Sequence, residues 1–193
     1  MTLSAALMLG MDLPLTAVMI LWVNLVTDGA CTIPLGIEPR HWDVLKQPPR
    51  GRNERMVNTP MIRRMAILTP IMAIGTLALF QWRLSTDGLT YARTVAFTSL
   101  AAFQWFQAFN ARSQFQSVFS IGPLSNRWLL VGLAVAIAAQ VGVIQTPLGA
   151  VLFQTTPLAV FDWVCIVLVS STIWIADELL KLLGVHGARP RAD

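Results

Sequence analysis

The chain has 193 residues, 55% of them hydrophobic and only 12% charged, where soluble domains carry roughly 25% charged residues. That composition excludes an ordinary soluble fold. A formal net charge of +4 does not indicate a nucleic-acid partner either: half of the 14 basic side chains (Arg40, Lys46, Arg50, Arg52, Arg55, Arg63 and Arg64) crowd between two apolar stretches, with no aromatic interleaving and no signature of a nucleic-acid reader.

A membrane-spanning helix needs about 20 predominantly apolar residues, with a range of about 17–25. Residues 1–9 are too short for this, and Met1–Met8 lacks the basic flank and small-residue cleavage site of a signal peptide. They are expected to be the outer end of a truncated transmembrane helix.

Residues 13–36 form the first full span. Within it Asn24, Thr27 and Asp28 stand at i, i+3 and i+4, which on an α-helix puts three oxygen-bearing side chains on one face. A charge at mid-bilayer costs at least about 2.5–3.5 kcal/mol, so an intramembrane carboxylate marks an ion or proton path. Gly29 and Pro34 weaken the helix after Asp28, and a locally unwound helix adds backbone carbonyls to such a site. Side-chain and backbone oxygens together suit a hard cation such as calcium. The plainer reading is interhelical hydrogen bonding by buried polar residues.

Residues 37–64 form a basic, proline-bearing loop. Four further spans follow within 65–183, at about 65–82, 94–111, 128–145 and 158–180, and 184–193 form a tail. The punctuation between them is Thr86-Asp87-Gly88, the Ser/Gly/Pro/Asn stretch 112–127, and Thr146-Pro147. With the basic loop in the cytoplasm, twelve Lys/Arg fall on the inner side and only Arg83 and Arg93 outside, which sets the orientation. Trp82, Tyr91, Trp128 and Trp163 lie near span ends as interface anchors. Cys31 and Cys165 sit in apolar segments as packing residues.

In the span at about 94–111, Gln104, Gln107 and Asn110 form a polar stripe; Gln107 and Asn110 read as interhelical glue. Asp177 and Glu178 close the last helix beside Lys181, an i+3 partner for Glu178, and read as a structural cap. The fold class is therefore an all-α membrane protein, a bundle of about five full transmembrane helices plus a partial N-terminal one.

The segment Leu21-Trp22-Val23-Asn24-Leu25-Val26-Thr27-Asp28-Gly29 resembles the sixth transmembrane helix of P-type cation ATPases of the calcium-pump branch. The similarity continues through Leu35-Gly36-Ile37-Glu38-Pro39, Asp43-Val44-Leu45 and Pro48-Pro49-Arg50, and reaches Asp177-Glu178-Leu179-Leu180-Lys181 near the end. The resemblance implies that the spans are helices six to ten and that the basic loop contacts the phosphorylation domain. It also implies that Asn24, Thr27 and Asp28 are metal ligands, with Asp28 the central carboxylate. Gln104 stands where some calcium pumps place a glutamate ligand, a departure resembling the plasma-membrane type. A neutral ligand there lowers affinity, so one ion per cycle is expected.

The resemblance further implies a divalent cation, calcium, as the transported ion, and Mg-ATP used only through domains outside these residues. The sequence contains no Asp-Lys-Thr-Gly phosphorylation motif, so ATP hydrolysis by the isolated chain is not expected. Expected partners are the lipid bilayer and the N-terminal catalytic portion of a pump, in the same or a separate chain. In a bacterium the location would be the plasma (inner) membrane. The alternative is a non-catalytic membrane scaffold or regulatory fragment that keeps the fold. A free-standing channel or secondary transporter is disfavoured because no inverted repeats with matching broken helices are visible.

Overall fold

A computed structural model describes residues 2–37, 59–112, 117–122 and 124–183, and among them every regular element is a helix. Most of the basic loop (38–58) and the tail (184–193) lie outside the described residues.

Helix α1 (Thr2–Met8) ends at Gly10, which takes a left-handed φ of 66°, a conformation that glycine adopts without steric cost. Thr16 then caps α2 (Ala17–Trp22), its hydroxyl accepting from Met19 N at 3.4 Å. The chain does not break after α2. It passes through a π-helical turn, Val23–Thr27, into α3 (Asp28–Gly36). Val, Asn and Thr are mediocre helix formers, Gly29 follows directly, and Pro34 removes the N–H that would bond the Ala30 carbonyl.

Helix α4 (Thr59–Asp87) turns at Gly88, φ 84°, into α5 (Leu89–Ala111). The short α6 (Val118–Ile121) precedes α7 (Arg127–Gln145), which Asn126 caps by accepting from Leu129 N at 2.9 Å. The polar link at Thr146-Pro147 starts a further helix, α8 (Pro147–Phe153), with Pro147 in the first turn, where its missing N–H costs nothing. The last helix is α9 (Val160–Leu182).

Among the described residues, four helical stretches are long and apolar enough to cross a membrane: Ala17–Gly36, Met61–Asp87, Arg127–Gln145 and Val160–Leu182. The fifth expected span, 94–111, is helical within α5 but is not among these four. The reason lies in packing. Helix α5 touches α3, the π turn, α4, α7 and α9, and thirteen of its 23 residues are buried. A helix enclosed by protein can carry Thr94, Thr98, Ser99 and Asn110, because its neighbours and its own backbone, not lipid, surround them. The outer helices instead expose apolar side chains, such as Leu168, Ile175 and Leu182 on α9 and Val131 and Val135 on α7.

On one side of α5, helices α4 and α9 pack together with it; on another, α3 pairs with α7. Gly75 makes the first contact tight. A Cβ added there would lie 2.8 Å from Phe103 Cζ and 3.0 Å from Val169 Cγ1, so α4, α5 and α9 meet at a point where only hydrogen fits.

Candidate functional site

The site starts from the backbone of the first span. A π turn closes i→i+5 hydrogen bonds and is wider than an α-turn, and such turns within α-helices are frequent at functional sites. Here it comprises Val23-Asn24-Leu25-Val26-Thr27, with Asp28 as the first residue of α3. The single face expected for Asn24, Thr27 and Asp28 assumed α-helical spacing. In the wider turn Asn24 is exposed, whereas Thr27 is buried, with 1% of its surface accessible. The side chain of Asp28 lies outside the described atoms.

Thr27 Oγ1 is buried without a hydrogen-bond partner. Thr76 Oγ1 on α4 and Thr156 Oγ1 share this state, whereas hydroxyls on α5 do not. On α5, Thr94, Thr98 and Ser99 each donate to the carbonyl four residues earlier, at 2.9, 2.7 and 2.7 Å. Residue 27 sits where the backbone leaves the α-helical ladder, so this back-bonding geometry is disturbed. Gln104, on α5, also has a buried carboxamide oxygen without a partner.

The π turn that carries Thr27 touches α5, the helix that carries Gln104. Met19 and Val23 share an apolar cluster with Phe97, and Cys31 shares one with Ala101, Ala102 and Trp105. The first span therefore packs alongside α5. Buried oxygens left without donors can accept from water or bind a cation, and carry a desolvation cost otherwise. Among the described residues no group of three His, Cys, Asp or Glu side chains could hold a metal ion, so the neutral oxygens available here are hydroxyl and carboxamide.

Elsewhere in the polar stripe Asn110 Oδ1 is also buried without a partner, while its Nδ2 is bonded. Asn110 Nδ2 donates to Gln107 Oε1 at 3.2 Å and to the Ile173 carbonyl of α9 at 3.3 Å. At the same end Arg64 grips both oxygens of buried Asp177 and also the Asn110 carbonyl. Lys181 lies 3.0 Å from Asp177 and 3.1 Å from Glu178, whose carboxylate accepts from Val118 N. Glu178 pairs with Lys181 as expected; beyond the cap read from the sequence, Asp177 ties α9 to α4 through Arg64 and Glu178 ties it to α6.

The opposite end holds a second cluster that the sequence reading missed. Arg83 bonds Asp162 at 2.5 and 2.7 Å and Asp87 at 2.9 Å, while the Tyr91 hydroxyl donates to Asp162 and accepts from Ala159 N. Tyr91, expected as an interface anchor, is also tied into this ion cluster. Trp82 (39% exposed) and Trp128 (64% exposed) remain open to the surroundings.

Residues 12–183 match the family model described as "Cation transporting ATPase, C-terminus". The chain belongs to this family. It is 34% identical over 180 residues to Calcium-transporting ATPase 1 of Yarrowia lipolytica, covering 92% of this chain and 19% of that protein. It is 35% identical over 183 residues to Calcium-transporting ATPase type 2C member 2 of Rattus norvegicus (93% and 19%), and 32% identical over 197 residues to Calcium-transporting ATPase 1 of Bacillus cereus (94% and 22%). The chain spans about a fifth of the length of these relatives. It corresponds to the C-terminal membrane portion of calcium-transporting P-type ATPases, and its apolar helices make it an integral membrane protein.

Proposed function

We propose that this chain is the ion-pathway portion of an ATP-driven divalent-cation transporter, with calcium the transported ion. Phosphorylation and nucleotide binding would come from an N-terminal catalytic portion, in the same or a separate chain, which would use Mg-ATP. In a bacterial cell the assembly would lie in the plasma membrane.

Asn24, Thr27, Asp28 and Gln104 are the proposed cation donors. The observation that carries this reading is the π-helical turn at Val23–Thr27, which leaves the Thr27 hydroxyl buried and unpartnered beside the helix where Gln104 Oε1 is equally unpartnered. Asp28 would supply the formal negative charge and Asn24 a carboxamide oxygen, a set of hard oxygens appropriate to calcium. One charged ligand among neutral ones favours a single ion per cycle. The names of the relatives, all calcium-transporting ATPases, support calcium as cargo.

The test is calcium-stimulated ATP hydrolysis by this chain joined to, or co-expressed with, the catalytic portion. Asp28→Asn should abolish the stimulation and Asn24→Ala should weaken it. Full stimulation in Asp28→Asn would remove the site assignment and favour the scaffold alternative.

A further inference from the structure

Helix α7 lies outside the proposed donor set, yet it grips the first span at three places that bracket the π turn. Just before the turn, Trp22 Nε1 donates to Gln140 Oε1 at 3.0 Å. Just after it, α3 comes so close to Gly132 that an added Cβ would fall 2.2 Å from the Ala30 carbonyl oxygen and 2.8 Å from Pro34 Cγ. At the end of α3, Asn126 Nδ2 donates to the Pro34 carbonyl at 3.2 Å, while its Oδ1 caps α7.

Each contact has a local cause. Pro34 has no N–H, so the Ala30 carbonyl loses its i+4 donor within the helix. That same carbonyl faces Gly132, where only a glycine lets the backbones meet this closely, the small-residue packing that brings membrane helices together. Gln140 is fully buried in the largely apolar α7, where a carboxamide is costly unless it is hydrogen-bonded; its Nε2 has no partner, and its Oε1 accepts one bond. Its bond goes to the residue directly preceding the π turn.

The spacing matters as much as the contacts. Trp22 and Ala30 are eight residues apart across the turn, and Gly132 and Gln140 are eight apart on uninterrupted α-helix. A regular helix thus sets two fixed points, about 12 Å apart at 1.5 Å per residue, between which the π turn is held. The position of those points fixes how the turn is rotated, and with it the direction of every side chain on residues 23–28.

We propose that Gln140 and Gly132 are positioning residues for the cation site, holding the π turn at both ends so that its donors stay in binding geometry. This rests on the reading of Asn24, Thr27 and Asp28 as donors. Neither residue touches the ion; they act through Trp22 and Ala30.

The experiment uses the pump formed by this chain with its catalytic portion and measures the calcium concentration giving half-maximal ATP hydrolysis, normalised to the amount of phosphorylatable pump. Gln140→Met keeps the volume and removes the acceptor; Trp22→Phe removes the donor. Each should raise the half-maximal calcium concentration several-fold, more than it lowers the saturated rate, and the double variant should be no worse than either alone. Gly132→Ala should shift it in the same direction. Should Gly132→Ala fail to accumulate, the Trp22/Gln140 pair still decides the matter.

If the three single variants change only the amount of pump and leave the half-maximal calcium concentration where it was, α7 is a packing helix and the proposal is wrong. Asp28→Asn, run beside them, separates the two ideas. Lost stimulation in Asp28→Asn with unshifted Gln140→Met and Trp22→Phe overturns the positioning role alone. Normal stimulation in Asp28→Asn overturns the donor assignment, and the positioning role with it.

Discussion

Arg64 and Asp177, 113 positions apart, form a two-bond ion pair, with Nε to Oδ1 at 2.6 Å and Nη2 to Oδ2 at 2.8 Å. Arg83 and Asp162 make a corresponding pair at the other end of the same two antiparallel helices. From residue 64 to residue 83, α4 advances about 28 Å at 1.5 Å per residue, close to the roughly 30 Å hydrocarbon thickness of a bilayer. The α4/α9 pair is therefore locked near each membrane surface, where paired charges are least costly to place.

Breaking a buried pair by removing one partner leaves the other charge uncompensated. Asp177 is fully buried and also faces Lys181. Asp177→Ala should therefore cost about 3–5 kcal/mol of unfolding stability, measured by denaturation in detergent. The double change Asp177→Ala with Arg64→Met should cost less than the two single changes together.

At the opposite end the components differ in weight. Arg83→Met strands Asp162, which is only 2% exposed, and should be as damaging as the loss of Asp177, about 3–5 kcal/mol. Tyr91→Phe removes a hydrogen bond to a carboxylate and should cost about 1.5–3 kcal/mol. If the same denaturation assay ranked Tyr91→Phe above Arg83→Met, Asp162 would be held mainly by the hydroxyl.

Gly75 tests the α4/α5/α9 junction without touching any charge. Gly75→Val adds two more carbons beyond a Cβ already 2.8 Å from Phe103 Cζ, and overpacking of this kind costs about 1–3 kcal/mol. A lowered thermal midpoint is expected, with the cation dependence of the assembled pump preserved.

The membrane assignment predicts depth-dependent penalties on the outer faces. Leu168, 63% exposed near the middle of α9, faces lipid on this account. Leu168→Arg should then reduce insertion by about 2.5–3.5 kcal/mol, read by a reporter-site insertion assay. Leu182→Arg, at the end of the same helix, should have a much smaller effect.

The sequence displayed what is local. The apolar stretches, the Gly88 turn, the Glu178–Lys181 pairing and the motif from Leu21 to Gly29 all rest on neighbouring residues, and the structure has a helix within each expected stretch, although α4 runs over 59–87 where 65–82 was expected. What it concealed depends on partners far along the chain. Nothing near Arg64 names Asp177, and nothing near Trp22 names Gln140. The greater polarity of α5 became intelligible only once its neighbours enclosed it, and the short α8 lay hidden in what read as a link because seven residues are too few to show a period. At the candidate site, the residue types were legible but their directions were not. The spacing of Asn24, Thr27 and Asp28 implies one face only if the helix is regular, and the π turn makes it irregular at that point.

The most direct measurement is equilibrium binding of isotopic calcium to the assembled pump in the absence of ATP, comparing the parent with Asp28→Asn. Removing the one formally charged donor should weaken binding by about tenfold or more, a loss of roughly 1.4 kcal/mol or greater. Equal calcium affinity in the two proteins would contradict a cation site built around the π turn of the first span.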